Sequence, residues 1–211
     1  MILIGMFDSP FVRRVAVSMN LLGMPFEHRN WSVGRDFEKI RQYNPLGRVP
    51  TLVLPDGEAL IDSAAILDYL DDEAGPQRAL VPSTGKDRRD ALRIMAVAGG
   101  AAEKGVSQVY ETVFRPAEKR HEPWTERCRT QMHSALAGLA AQTRAGNWLV
   151  GTHMTQADIT CTCVFTFLSD ALELKRTGPT YPGLAALAAR CEALPEFSSS
   201  KAPWFSPDRK S

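Results

Sequence analysis

Three short motifs in the first third of the chain combine residue types that can hold a small peptide and act on it: Ser9-Pro10-Phe11, Val49-Pro50 and Asp62-Ser63. Ser9 offers a hydroxyl that can donate to an anion. Val49-Pro50 offers backbone polar groups at a proline-set turn. Asp62-Ser63 offers a carboxylate and a hydroxyl ahead of a helix, where backbone N–H groups attract negative charge. Their spacing lets all three converge on one extended peptide ligand.

The elements that must carry them follow from the local pattern. Ile2-Leu3-Ile4 is a short β run, and apolar Val12, Val15, Ala16, Met19 and Leu22 recur at helical spacing from Pro10 onward. Proline suits the first helical position because its missing N–H would have no partner there, which puts Ser9 at the N-cap and Gly23 past the end. A strand is expected over Phe26–Asn30 and a helix over Arg35–Gln42. Thr51–Leu54 and Glu58–Ile61 flank Pro55-Asp56-Gly57, a hairpin signal. A helix from Ser63 to Asp72, through Ile66, Leu67 and Leu70, completes the order βαβαββα. That order implies a mixed sheet with helices packed on it, an α/β half.

Gly75, Pro76, Pro82, Ser83 and Gly85 mark a linker, after which β patterning disappears. Domain boundaries are expected at residues 1–74, 75–86 for the linker and 87–211. The second half reads as all-α, with helices over Lys86–Phe114, Pro123–Ala145, Thr155–Leu174 and Pro182–Ala193. Gly99-Gly100 inside the first of these costs roughly 1 kcal/mol per glycine relative to alanine. Close approach of another helix compensates for that, or the pair marks a bend.

Composition limits the partners. The 211 residues carry a net charge of +1 with basic residues scattered, so a nucleic-acid footprint is lacking. No apolar run approaches the roughly 20 residues of a membrane span, and the apolar start is too short for a signal peptide, so a soluble, cytoplasmic protein is expected. Cys128, Cys161, Cys163 and Cys191 have no chelating spacing and read as buried thiols, and the four histidines are dispersed. No metal site is expected.

With Thr155-Gln156-Ala157-Asp158 added, these motifs in this order resemble the cytosolic glutathione S-transferase superfamily across nearly the whole chain. The pieces are Ser9-Pro10-Phe11-Val12-Arg13-Arg14-Val15, Asn44-Pro45-Leu46-Gly47-Arg48-Val49-Pro50 and Asp62-Ser63-Ala64-Ala65-Ile66. The Ser-Pro-Phe elbow is most similar to serine-type bacterial members and the plant tau class. The resemblance implies a thioredoxin-like first domain, an all-helical second domain, glutathione as co-substrate and a homodimer.

It also implies roles. Ser9 donates to the glutathione sulfur and favours the thiolate, the effective nucleophile. Its competing role is a plain N-cap, and one hydroxyl cannot fully serve both. Val49, before an expected cis Pro50, pairs with the cysteinyl backbone as an added strand would. Arg48 lies near the glycine carboxylate, and Phe11 flanks the peptide. Asp62 accepts from the γ-glutamyl ammonium while Ser63 and the helix amides receive the α-carboxylate. Many relatives carry Glu where Asp62 stands. Arg13 and Arg14 can reinforce the anion, although a solvated helix face is expected for at least one. Phe7, Tyr110 and Phe114 are candidates for the acceptor pocket, with Tyr110 and Phe114 an i, i+4 pair. Pro203-Trp204-Phe205 either covers the cleft or docks on the surface. Thr155–Asp158 reads as a capping box.

The leading function is a transferase in which the thiolate attacks a small hydrophobic electrophile. Isomerisation or peroxide reduction by bound glutathione is an alternative, as is a non-catalytic binding or regulatory module on the same fold. Thiol–disulfide exchange requires a cysteine at the elbow, where Ser9 stands.

Overall fold

The computed structural model describes residues 1–174 and 180–205; the end of the expected second domain, at residue 211, lies outside them. Strands β1 (Ile2–Ile4), β2 (Glu27–Arg29), β3 (Thr51–Val53) and β4 (Ala59–Ile61) form one sheet in the order β2-β1-β3-β4. β1 runs parallel to β2 and antiparallel to β3, with Leu3 opposite Leu52, and β3 pairs antiparallel with β4. The mixed βαβαββα arrangement expected of the first half is the one observed.

Helix α1 (Pro10–Leu22) begins at the Ser9 cap and ends at Gly23, whose φ of 66° is the left-handed C-cap conformation. Helix α3 (Ser63–Ala74) follows the β3–β4 hairpin. Helix α2 is one turn, Phe37–Ile40, rather than the expected Arg35–Gln42. Asp36 accounts for the short span: its carboxylate takes the Ser32 N–H at 3.1 Å, Arg35 at 2.9 Å and Lys39 at 3.0 Å, stabilising a turn where a longer helix would start.

The second half contains α4 (Gly85–Val113), a 3₁₀ turn at Ala117–Lys119, α5 (Glu122–Ala140), α6 (Gln156–Ala171), α7 (Pro182–Glu192) and the short α8 (Pro195–Ser198). Residues 75–84 between α3 and α4 are irregular. The capping box at α6 is formed, with Asp158 taking the Thr155 N–H at 2.9 Å. The same carboxylate takes the Leu149 N–H at 2.8 Å, pinning the preceding loop to the helix start.

One apolar core runs through both halves, from Leu3, Val15, Met19 and Ile66 to Ile94, Leu136, Ile159 and Phe197. Helix α1 is its hinge element, packed on α3 on one side and α6 on the other. The sequence expectation that Arg13 or Arg14 faces solvent is therefore wrong: both guanidinium groups are buried, at 4% and 5% exposure. A face that looks like a polar helix surface in one half is the contact face for the other.

Two glycines set close approaches. Gly5, at φ 135°, would bring a Cβ to 2.5 Å from Val12 and 2.8 Å from Val49, so only glycine lets the end of β1 lie beneath the Val49 turn. Gly105 lets α4 approach Leu168 of α6. Within one chain the close helix approach is at Gly105; a Cβ on Gly99 or Gly100 would meet nothing within 4 Å.

Candidate active site

The strand-to-helix elbow presents Ser9 to a cavity of about 510 Å³ between the two halves. Its cap bond is long, with Oγ accepting the Val12 N–H at 3.4 Å. A hydroxyl has one proton and two lone pairs, so a lone pair serves the cap while the proton remains available to an anion in the cavity. The competition between cap and donor expected from the sequence is relieved by this geometry.

The Val49–Pro50 peptide is cis. The loop before it is organised by Asn44, 2% exposed, whose amide donates to the Arg48 carbonyl at 2.8 Å and whose Oδ1 accepts the Leu46 N–H at 3.0 Å. Removing that amide would leave the Arg48 carbonyl held by the Thr51 hydroxyl at 3.3 Å.

A second cavity of about 330 Å³ continues from the first, and Phe11, Arg48 and Val49 line both. Asp62 and Ser63 lie in its wall. Asp62 has a φ of 70°, a left-handed conformation uncommon outside glycine, and its carboxylate caps α3 by accepting the Ala64 N–H at 2.7 Å. Ser63 Oγ accepts from Arg14 Nε at 3.1 Å and from a terminal guanidinium nitrogen at 2.6 Å, which leaves the Ser63 proton to donate. Burial pulls the Arg14 pKa down and Asp62 pushes it back, with a net lowering; it remains a buried cation behind Ser63. Carboxylate, guanidinium, hydroxyl and helix amides therefore meet at one end of the groove, a set that matches an amino acid's paired charges.

Arg48 is exposed at the junction of the two cavities and reaches Glu103 of α4 at 3.5 Å. Arg13 takes no part in the groove. It forms a two-pronged pair with Glu192 at 2.6 and 2.7 Å and donates to the Phe197 and Ser200 carbonyls, tying α1 to α7 and α8.

Of the acceptor candidates, Tyr110 and Phe114 line the larger cavity, their rings edge to face at 4.9 Å. Burial raises the Tyr110 pKa, against a lowering by Arg48, so the phenol is a neutral donor at neutral pH. Phe7 is absent from that wall: its ring stacks on His28 of β2 at 3.7 Å. Trp204 packs on Phe167 at 5.6 Å, and both Trp204 and Phe205 line the cavity, so this segment forms part of the wall of the cleft. Sequence reasoning missed Asp8, Trp31 and Phe167. Asp8 had a signal in its place beside Ser9, whereas Phe167 reaches the site only through the packing of α6.

The cysteines are buried and unpaired. Burial pushes the Cys163 thiol up to about 12 and that of Cys161 further, so both stay protonated and structural. Among the described residues no group of three or more His, Cys, Asp or Glu side chains is placed to hold a metal, and no helix is long and apolar enough to cross a membrane.

Residues 3–78 match the family model described as glutathione S-transferase, N-terminal domain, and residues 102–199 the corresponding C-terminal domain. The chain is similar to a glutathione S-transferase of Methylobacterium radiotolerans solved with glutathione sulfonate, at 28% identity and TM-score 0.89, covering 100% of this chain and 98% of that one. A glutathione transferase family member from Pseudomonas fluorescens with bound glutathione is 30% identical, with TM-score 0.84 and coverage of 96% and 99%. A protein of Vibrio cholerae named probable maleylacetoacetate isomerase is 28% identical over 99% of this chain and 98% of its own length.

Proposed function

Because the chain belongs to the glutathione S-transferase family and is a glutathione transferase, we propose that it binds glutathione along the groove from Asp62-Ser63 to Ser9 and uses the Ser9 hydroxyl to favour the thiolate. The observation that carries this reading is the continuity of the two cavities through Phe11, Arg48 and Val49, with the charge-matching cluster at one end and the free hydroxyl proton at the other. Residues 1–74 supply the glutathione site. The helical residues from 87 onward supply the aromatic wall for a small hydrophobic electrophile.

Each side chain has a separable task. Asp62 accepts from the γ-glutamyl ammonium, and Ser63, backed by Arg14 and the α3 amides, holds the α-carboxylate. Val49 pairs with the cysteinyl backbone across the cis Pro50 turn, which aims the sulfur at Ser9. Arg48 neutralises the glycine carboxylate at the rim. The thiolate then attacks an electrophilic carbon held against Tyr110 and Phe114, and holding the two reactants together supplies much of the acceleration.

Glutathione binding is tested by calorimetry. Asp62→Ala and Ser63→Ala should each weaken it about ten- to a hundredfold, the value of a hydrogen bond to a charged group at roughly 1.5–3 kcal/mol. Unchanged affinity in both variants would place the tripeptide elsewhere. Turnover of an electrophile panel with and without glutathione separates an enzyme from a binding module.

Glutathione-dependent isomerisation is the second reading, favoured by the similarity to the probable maleylacetoacetate isomerase. The same bound thiolate would add to the substrate and leave again.

A two-fold homodimer is also proposed, with α4 at the interface. Gly99 and Gly100 leave open space on that helix, and Leu92 on it is 43% exposed. Two-fold dimers are the commonest oligomers. Sedimentation at micromolar concentration should give twice the chain mass; monomer mass throughout would leave the glycine pair as a local feature of one subunit.

A further inference from the structure

The residue before Ser9 is a carboxylate in the wall of the acceptor cavity, and the glutathione reading gives it no task. Asp8 lines the 510 Å³ cavity together with Ser9, so an acceptor reacting at the sulfur must lie beside it. Its Oδ2 accepts the Phe205 N–H at 3.3 Å, which ties the carboxylate to the Trp204-Phe205 segment of the cavity wall. The facing wall is aromatic, from Trp31, Tyr110, Phe114, Phe167 and Trp204.

The cations of this cavity are at its rim and already engaged. Arg35 and Arg48 are the basic residues in its lining; their side chains are 69% and 64% exposed and pair with Asp36 at 2.8 Å and Glu103 at 3.5 Å. Arg13, behind the wall, is held by Glu192. Among the described residues, a carboxylate carried by the acceptor would enter an apolar space, meet Asp8 and find no uncommitted cation.

Resting on the glutathione reading above, we propose that Asp8 is a specificity-determining residue that makes this cavity select uncharged aromatic electrophiles and reject carboxylated ones. The device is electrostatic exclusion in a partly desolvated site, where like charges several ångströms apart repel far more than in water. A dicarboxylic acceptor such as maleylacetoacetate is disfavoured by the same charge, so the proposal also separates the transferase reading from the isomerase one. Burial raises the Asp8 pKa against the opposing hydrogen bond from Phe205, which identifies the carboxylate as one that desolvation reaches.

The test uses two glutathione conjugates that differ only in charge at the ring: S-(4-carboxy-2,6-dinitrophenyl)glutathione and its ring methyl ester. Both are titrated calorimetrically into the full-length protein and into Asp8→Asn at about pH 8, well above the ordinary carboxylate range. Asparagine keeps an oxygen to accept the Phe205 N–H, so the tail keeps its anchor.

In the parent protein the ester should bind roughly ten- to a hundredfold more tightly than the acid. In Asp8→Asn that ratio should fall towards one, through tighter binding of the acid, with the ester unchanged. Equal affinities in the parent, or a gap that persists in Asp8→Asn, would overturn the role of Asp8 while leaving glutathione binding intact. If free glutathione binds and neither conjugate does, the cavity is not the acceptor site and the proposal falls. If free glutathione itself does not bind, the underlying functional reading fails first.

Discussion

Ser9→Ala should fold as the parent does and lose between ten- and a hundredfold in kcat/KM for glutathione conjugation near neutral pH. A free thiol titrates near 8.5, so at pH 7 only a few per cent is thiolate; lowering that value by about two units takes roughly 2.7 kcal/mol of preference for the anion. A hydrogen bond to a charged partner supplies about 1.5–3 kcal/mol, and the α1 N-terminus adds about 0.3–1 kcal/mol. Deleting the hydroxyl removes the larger share. The loss depends on pH in a defined direction. Below the free-thiol value the parent holds more thiolate than the variant; above it both are ionised, so the deficit should shrink as pH rises past about 8.5. A deficit constant with pH would assign Ser9 to positioning instead. The stability cost should be at or below about 1 kcal/mol, because the cap bond it removes is already long at 3.4 Å.

Arg13→Ala should cost about 2–4 kcal/mol of stability, read as a lower urea midpoint, because it leaves the partly buried Glu192 carboxylate without its main partner. Burial pushes the Glu192 pKa up, but Arg13, Thr166 and Lys201 outweigh it and hold it below the usual carboxylate range. A carboxylate whose folded pKa is depressed contributes stability that is present above its unfolded value and is lost as pH falls through the folded one. The parent should therefore weaken on acidification below about pH 4 through this pair, and the gap between parent and Arg13→Ala should narrow there. Arg13→Met combined with Glu192→Leu should recover part of the loss, because an apolar pair replaces a buried ionic one at little cost. Full recovery is not expected, since the Phe197 and Ser200 carbonyls lose their donor. A single variant as stable as the parent would show that α1 is fastened to the helical half by apolar packing alone.

Arg13 and Arg14 show where the sequence stops being legible. Ser9, Pro10 and Gly23 announce both ends of α1, and Pro55-Asp56-Gly57 announces the hairpin, because each signal lies within a few residues of the structure it sets. Arg13 finds Glu192 at a separation of 179 residues and Arg14 finds Ser63 at 49, so a helix read alone has at least one of them facing solvent. Helix α2 fails over Arg35–Gln42 because the Asp36 side chain competes for the local amides, a contest that periodicity does not register. Phe7, in the turn between β1 and α1, stacks on His28, and Trp31 and Phe167 line the pocket instead. The Asp62-Ser63 end of the groove is built from turn and cap residues, which short-range grammar exposes. The aromatic end is built from α4, α6 and the Trp204-Phe205 segment, whose meeting is tertiary.

Ultraviolet difference titration of glutathione bound to the parent protein and to Ser9→Ala tests the central claim most directly, because thiolate absorbance reports the sulfur itself without an electrophile. The account predicts a bound thiol that ionises about two units below the free value in the parent and close to the free value, near 8.5, in the variant. A bound thiol that titrates at the free value in the parent, or shifts equally in both proteins, would contradict it.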